Sequence, residues 1–175
     1  MEHDRASELV REVVEAHGGA ALWARLEALE AEISAWGFLF PAKRRRPLRH
    51  VRVWASTREP HFMFHDTPRP GLRSELLGAE EVRILDERGV VESRRQPRLA
   101  FRSLRRQFAW DDLDFTYFGS YATWNYLLTP FLFLRPGFRF ELLEPRESAT
   151  GLLSRLKVTF PSDLPTHCTT QTVGL

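Results

Sequence analysis

WDDLDFTYFGSYATWNYLLTPFLFL, residues 110–134, is the most informative stretch of this sequence about its fold. It contains nine of the chain's 21 aromatic residues, and the twenty residues that follow Asp114 carry no charge. A helix needs about 20 apolar residues to cross a bilayer, so the stretch is long enough for a membrane span. It is equally compatible with a core helix, or with a helix that lines a site for an apolar ligand.

The polar content of the stretch argues against a membrane span. Seven of its uncharged residues are Thr, Ser, Asn, Gly or Pro, and Pro130 disfavours helix at the residue before it. The pattern predicts a helix from Asp112 to Leu128, with acids in its first turn, where the helix dipole favours negative charge. The following residues, FLFL at 131–134, are expected to form a strand that joins a sheet.

The predicted helix has two different faces when it is plotted at about 100° per residue. One stripe of large side chains contains Tyr117, Tyr121, Trp124 and Leu128, and a face of small residues contains Thr116, Gly119, Ser120 and Thr123. The small face allows a sheet or a second helix to approach closely. Buried phenol and indole groups need hydrogen-bond partners. The large stripe therefore either packs on a sheet or lines the wall of a partly wet cavity.

Elsewhere the hydrophobic periodicity predicts two N-terminal helices and a series of strands. Residues 4–17 and 20–29 have helical spacing, and Gly18 is expected to end the first helix in the left-handed conformation. From Glu30 the period is two, and strands are predicted in EISAWGFLF, LRHVRVWAST, HFMFH, EVRILD, VVESRR, FRFELLE and RLKVTF. About eight short strands with one long helix among them predict an α+β domain with a curved antiparallel sheet.

Length and composition are those of an ordinary globular domain. The chain has 175 residues, 43% of them hydrophobic, and a net charge of +2, which predict a single domain over residues 1–175. Cys168 is the only cysteine, so neither an internal disulfide nor a cysteine-based zinc site is expected. The N-terminus carries charges at almost every turn, unlike a secretory signal peptide. The expected location is the cytoplasm, and no metal and no cofactor are predicted.

Three short motifs lie near the start, in the middle and towards the end of the chain. They are His17, Gly18 and Gly19 with Trp23; Trp124, Asn125 and Tyr126 with Thr129, Pro130 and Phe131; and Phe160 and Pro161 with Thr166 and His167. Together they resemble an uncharacterised bacterial family over nearly the whole chain. More distantly, the plan of helices followed by a sheet is similar to that of the outer-membrane lipoprotein carriers and related lipid-binding lipoproteins.

The resemblance implies an incomplete half-open β-barrel with an N-terminal helical hairpin, and with the long aromatic helix packed on its concave face. Proteins of the carrier superfamily hold acyl chains in an apolar hollow. The carriers are exported, whereas the charged N-terminus of this sequence is not expected to act as an export signal. Members of the closer family continue with several more strands, so the resemblance implies a chain truncated at its C-terminus, with an exposed sheet edge.

The predicted function is the non-enzymatic binding of a lipid-like or other hydrophobic ligand in the half-barrel cavity. Asn125 is expected to orient a polar head group or to satisfy nearby backbone groups. The complete set of predicted ligand-binding residues is Trp36, Phe38, Tyr117, Tyr121, Trp124, Asn125 and Phe131. The sequence predicts no oligomeric state.

Titratable and charged residues leave two alternatives open. An enzyme of unknown reaction would use the same cavity, with His17, Asp111 or His167 as acid or base. An interaction module would act through an arginine-rich face, because residues 41–73 carry nine basic and two acidic side chains and residues 94–106 add six arginines. No nucleic-acid recognition motif accompanies the cluster, so an anionic membrane surface is the favoured partner. The contacting residues would be Lys43, Arg44, Arg45, Arg46, Arg49 and Arg52.

Overall fold

The computed structural model describes residues 2–149 and 151–175, and the chain divides into two compact units. Glu27–Leu127 form the central unit, and Met1–Leu26 with Leu128–Leu175 form the terminal unit. A six-stranded antiparallel sheet lies in the central unit and a three-stranded one in the terminal unit. The protein is α+β, as the periodicity predicts, although the strands belong to two sheets where one was predicted. The assignment to a single domain stays a prediction.

The central sheet is a meander in which sequence neighbours pair with each other. Its strands are β1 (Ala28–Ala35), β2 (Leu48–Ser56), β3 (His61–His65), β4 (Arg73–Leu77), β5 (Glu81–Asp86) and β6 (Gly89–Arg95). Within the described residues the sheet stays open, with β1 and β6 at its edges. Strand β4 was not predicted, because RSELL lacks the β-branched and aromatic residues typical of strands. It forms because β3 and β5 pair with it on both sides.

One face of the central sheet supplies the apolar core of this unit. The alternation of buried and half-buried positions along β3, β4 and β5 is the period expected of a half-buried sheet. The buried apolar residues from β2 to β5 are Val53, Ala55, Phe62, Phe64, Leu76, Val82 and Ile84. The helices of the unit are α3 (Leu39–Ala42), α4 (Pro97–Ala100), α5 (Arg105–Phe108) and α6 (Asp112–Leu128).

Helix α6 has the predicted bounds and packs on the central sheet. Its small face allows a close approach, since a Cβ placed on Gly119 would lie 3.3 Å from the ring of Phe64 on β3. The ring of Phe115 lies 6.2 Å from the same ring. Trp124 is completely buried, and its indole Nε1 donates a 2.8 Å hydrogen bond to the carbonyl oxygen of Ser56. In the described chain, no helix combines the length and the apolar content that crossing a bilayer requires.

The terminal unit combines the first two helices with the last three strands. Helix α1 contacts β7, and the left-handed conformation predicted for Gly18 is confirmed by its φ of 108°. The elements are α1 (Glu2–Ala16), α2 (Gly19–Trp23), β7 (Arg139–Ser148), β8 (Gly151–Thr159) and β9 (Thr170–Gly174), with a 3₁₀ helix at Phe131–Leu134. The core of this unit includes Ala6, Val10, Val14, Leu132, Leu156 and Val158.

Two predicted elements of the first half have different bounds in the structure. The helix predicted at 20–29 ends at Trp23, because residues from Ala28 onward pair with β2. Pairing between strands outweighs the local helical spacing of the leucines. The strand predicted through EISAWGFLF ends at Ala35, and α3 begins at Leu39. Gly37, with a φ of 137°, turns the chain between the two elements.

The strand predicted for FLFL is wrong, because Phe131–Leu134 form a 3₁₀ helix. Leu132 and Phe133 are both buried, and consecutive residues of a strand would point to opposite faces. A helical turn instead brings neighbouring side chains into one core. Phe131 stacks on Trp23, with ring centroids 4.4 Å apart and planes within 2° of parallel.

Replacing Trp124 with Phe is expected to lower the free energy of unfolding by about 2–3 kcal/mol. The change leaves the buried Ser56 carbonyl without its indole donor and creates a small cavity. The matched substitution Trp36→Phe, at a side chain that is 79% exposed, is expected to change it by less than about 0.5 kcal/mol. Urea unfolding followed by circular dichroism compares the two. Equal stability of the two variants would contradict the role given to the indole hydrogen bond.

Candidate anion-binding site

The connection between β1 and β2, residues 36–47, begins with exposed aromatic side chains. Trp36 is 79% exposed and Phe38 is 86% exposed, and Leu39 is exposed as well. Residues 36–40 are called the aromatic loop below. Phe40 anchors this loop, because its ring lies 6.1 Å from that of Phe115 on α6. The loop therefore presents large apolar surface to solvent from a fixed base, which is typical of an interaction site.

Lys43 ties the same connection to α5. Its Nζ donates hydrogen bonds to the carbonyl oxygens of Arg106, at 3.2 Å, and Gln107, at 2.6 Å. The backbone N–H of Trp110 donates to the carbonyl oxygen of Lys43 at 3.1 Å. Lys43 is thus used within the fold. The segment that it holds carries two more exposed apolar side chains, Leu104 and Phe108.

A cleft of about 610 Å³ opens beside the basic half of the connection. Five arginines and two aspartates line it, which leaves a net of three positive charges. We call it the arginine cleft, and its lining residues are Arg44, Arg45, Arg46, Pro47, Leu48, Arg49, Val51, Asp66, Thr67, Pro68, Arg69, Asp112 and Phe115. Its volume is within the range of small-molecule sites, about 300–1,000 Å³.

Arg45 is the one structural arginine among these five. Its Nη2 donates a 2.6 Å hydrogen bond to Oδ1 of Asp112, and its Nη1 donates at 3.4 Å to the carbonyl oxygen of Trp110. The guanidinium carbon also lies 5.2 Å from the centre of the Phe115 ring. The charge of Arg45 is therefore compensated by Asp112, and its position in the wall is fixed.

The other four arginines of the cleft are exposed. In the part of the chain that the structure describes, their guanidinium groups have no hydrogen-bond or ion-pair partner. These residues are Arg44, Arg46, Arg49 and Arg69. A concentration of uncompensated guanidinium groups attracts anions, and the planar fork of arginine matches the oxygens of phosphate and carboxylate groups.

Two residues of the cleft have an unusual backbone conformation. Arg44 has a φ of 56° and Asp66 has a φ of 52°, both in the left-handed region that residues other than glycine rarely adopt. The turn at Asp66 is closed by its own side chain, whose Oδ1 accepts a 3.0 Å hydrogen bond from the N–H of Gly71. Such strain is concentrated at ligand-binding sites, where the surrounding structure maintains it.

The structure separates the six basic residues predicted to contact an anionic surface. Four of them, Arg44 to Arg46 and Arg49, line the arginine cleft. Lys43 does not line it, and Arg52 lines a neighbouring cavity with His65 and Arg73. Asp66 and Arg69 belong to the basic stretch 41–73, but neither they nor Thr67 were named among the predicted contact residues. The β2–β3 hairpin is the signal that places them, because it brings the residues after His65 back towards the start of β2.

The seven predicted ligand-binding residues fall into three places. Tyr117, Tyr121, Trp124 and Asn125 are buried on α6, and Tyr117 and Tyr121 contact each other with centroids 5.0 Å apart. Trp36 and Phe38 belong to the exposed aromatic loop, and Phe131 packs on Trp23 in the terminal unit. The hydrogen bond from Trp124 to Ser56 satisfies the indole that suggested a partly wet cavity.

The residues considered as catalytic acids or bases have other contacts. His17 is exposed, and its Nδ1 donates a 2.7 Å hydrogen bond to the carbonyl oxygen of Val13. This bond satisfies one of the carbonyl groups at the end of α1. His167 is exposed in the terminal unit. Asp111, in the central unit, is the N-cap of α6 and belongs to a network of ion pairs.

The network at the start of α6 combines two acids with two arginines. Oδ1 of Asp111 accepts from the N–H of Asp114 at 2.8 Å, and Oδ2 of Asp114 accepts from the N–H of Asp111 at 3.1 Å, which is the reciprocal arrangement of a capping box. Arg94 on β6 bridges both carboxylates, at 2.9 Å and 2.6 Å. Arg106 on α5 also approaches both, at 2.9 Å and 2.7 Å. The network therefore joins three elements of the central unit.

The pKa values of the two carboxyl groups of the network are shifted in opposite directions. Burial alone would raise the pKa of Asp111, but hydrogen bonds from Arg94 and from the Asp114 N–H, together with both arginine charges, lower it from 3.8 to about 2. Burial raises the pKa of Asp114, whose side chain is 1% exposed, and the charge of Asp111 adds to this effect. Asp111 is thus the member whose ionised form stabilises the folded chain.

Comparison with known proteins does not extend these observations. No protein-family model, curated protein or solved structure matches this chain. The resemblance to a bacterial family and to the lipoprotein carriers therefore stays a prediction.

Replacing Asp111 with Asn is expected to lower the free energy of unfolding at pH 7 by about 1–2 kcal/mol, a value reduced for the partial exposure of the carboxylate. Because the folded-state pKa is below the unfolded value of 3.8, this contribution is complete above about pH 4 and is lost as the pH falls towards 2. Urea unfolding of wild type and variant from pH 7 to pH 2 measures the difference.

The control for this series is Asp163→Asn, at an exposed aspartate of the terminal unit. It is expected to leave the unfolding curves within about 0.5 kcal/mol of wild type. If the difference in the free energy of unfolding between wild type and Asp111→Asn stays constant down to pH 2, the Asp111 carboxylate does not stabilise the fold through its ion pairs.

Proposed function

We propose that the chain binds the surface of an anionic lipid bilayer through the connection between β1 and β2. The observation that carries this proposal is the combination of exposed aromatic side chains and arginines without partners within residues 36–49, which comprise the connection and the first two residues of β2. Aromatic side chains partition to the bilayer interface, and basic side chains are attracted to anionic head groups. Both parts of the binding surface are then supplied by one short segment.

Neither part of this segment is sufficient by itself. Each basic residue near an anionic bilayer contributes about 1 kcal/mol, and this contribution falls with salt. A few inserted apolar side chains give weak, reversible binding unless a second signal adds to them. The aromatic loop and the arginine cleft together supply two signals. Because Phe115 contacts both Phe40 and Arg45, the loop and the cleft share one support.

A second proposal concerns the central sheet and α6, and the resemblance to lipoprotein carriers suggests it. In this proposal the open sheet is an incomplete half-barrel, α6 packs on its concave face, and a hydrophobic ligand binds beside Tyr117, Tyr121 and Trp124. The open edges of the sheet and the aromatic side chains of α6 support it. The burial of these side chains and the satisfied indole of Trp124 favour the membrane-surface proposal instead.

The double substitution Trp36→Ala with Phe38→Ala is expected to weaken binding to vesicles that contain phosphatidylserine by at least about tenfold, because it removes the apolar contact. Co-sedimentation at increasing lipid concentration measures the affinity, and wild-type binding is expected to weaken as salt increases. The matched control is Tyr126→Ala with Leu152→Ala, which removes two side chains of similar exposure, 72% and 73%, elsewhere.

Several outcomes of the vesicle experiment would contradict the proposal. If wild-type protein binds neutral and anionic vesicles equally well, the arginines do not contribute to binding. If both double variants lose the same vesicle affinity, the aromatic loop has no specific role. Binding to single-stranded nucleic acid at the same salt, without binding to vesicles, would identify a different partner, because aromatic and arginine side chains also stack on bases.

Native mass spectrometry of gently purified protein tests the second proposal. A hydrophobic ligand held beside α6 is expected to give a mass increase that disappears after delipidation and returns when lipid is added. Substituting Tyr121 with Phe removes only the hydroxyl group beside the proposed ligand, because the variant keeps the ring and its packing. If wild-type protein is uniformly free of ligand and takes up no lipid, the half-barrel proposal is wrong.

A further inference from the structure

We propose that the arginine cleft binds a phosphate monoester, the terminal phosphate group of a phosphorylated lipid head group or of a small soluble molecule. For the lipid form, the inference rests on the proposed function, because membrane binding brings the head group to the cleft. The observations that lead to it are the charge of the cleft, its volume and the fixed position of its wall.

The charge of the cleft matches a dianion better than a monoanion. Its lining has a net of three positive charges after its two aspartates are counted. One of the aspartates, Asp112, is already paired with Arg45. A carboxylate or a phosphodiester supplies one negative charge, whereas a phosphate monoester carries about 1.5 to 2 at neutral pH and has three strong acceptor oxygens. Of these three groups, only the phosphate monoester compensates most of the excess positive charge of the cleft.

The arrangement of the cations also suits a terminal phosphate. Arg44, Arg46 and Arg49 come from one short segment of the chain, and Arg69 comes from the turn that follows β3. Guanidinium groups bind phosphate oxygens through two parallel hydrogen bonds, and a group with three free oxygens can accept from several arginines at once. Arginine is common throughout this chain, so its placement here, rather than its identity, supports the inference.

The volume and the wall of the cleft leave room for more than the phosphate itself. At about 610 Å³ it is of the size that accepts a whole small molecule. Leu48, Val51 and Phe115 supply apolar surface, and Arg45 is held against Phe115 by Asp112. A ligand with a phosphate at one end and a carbon skeleton would therefore contact both kinds of lining. The strained backbone at Arg44 and Asp66 is consistent with a site prepared for a ligand.

The experiment compares vesicles that carry phosphatidic acid, a phosphate monoester, with vesicles that carry phosphatidylserine, adjusted to the same surface potential. Wild-type protein is expected to bind the first about tenfold more tightly. Arg46→Gln with Arg49→Gln is expected to abolish this preference, because it removes two exposed arginines of the cleft. Arg69→Gln alone is expected to reduce it.

The matched control is Arg25→Gln with Arg95→Gln, which removes the same charge from two exposed arginines that do not line the cleft. The strand registers place Arg95 level with His61, at the end of β3 opposite to Asp66. This control is expected to weaken binding to both kinds of vesicle slightly and to keep the preference. Urea unfolding midpoints equal to that of wild type show that each variant is folded.

Calorimetric titration with glycerol 3-phosphate and with glycerophosphoglycerol, its diester counterpart, distinguishes the soluble source from the lipid source. If glycerol 3-phosphate binds and the diester does not, and if Arg46→Gln with Arg49→Gln abolishes this binding, the cleft is supported as a phosphate site. That result holds even if the protein binds no vesicles. Absence of vesicle binding would separately refute the proposed function. Equal binding to both vesicle types, without binding of glycerol 3-phosphate, would overturn the phosphate inference and leave membrane binding intact. Loss of the preference in the control variant as well would also overturn it.

Discussion

Helix α6 packs on the central sheet, and the arrangement of the central unit follows from that packing. Gly119 lets the helix approach Phe64, and the buried indole of Trp124 donates to the carbonyl of Ser56 at the end of β2. Because both contacts are specific in position, the helix has one register on the sheet. That register places the first turn of α6, with Asp112 and Phe115, in the wall of the arginine cleft.

The acids at the start of α6 determine which nearby arginines form ion pairs within the fold. Asp111 and Asp114 bind Arg94 and Arg106, and Asp112 binds Arg45, so these arginines join elements of the fold. The arginines further along the cleft form no ion pair in the described chain, and their charge is available to a ligand. The same residue type thus has a structural role or a binding role according to whether a carboxylate lies near it.

The aromatic residues are divided in a similar way. The sequence interpretation placed the tyrosines and tryptophan of α6 in one ligand site with Trp36 and Phe38, which it assigned to the strand predicted in EISAWGFLF. In the structure the residues of α6 are buried, whereas Trp36 and Phe38 are exposed beyond the end of β1. Alternating apolar residues predict a strand whether or not a partner strand is present. Pairing with β2 ends at Ala35, so the following residues form a loop and a short helix.

Sequence patterns alone were sufficient to predict the α+β class, the bounds of α6, most strands and the acidic start of α6. These follow from local periodicity, capping and helix-dipole effects, which act between residues close in the chain. Tertiary contacts were needed for the division into two sheets, strand β4, the helical turn at Phe131–Leu134 and the meeting of Arg69 with Arg46 in one cleft. Each of these depends on which distant segments pair or pack together. Local patterns do not contain that information, because strand pairing and burial are set by partners elsewhere in the chain.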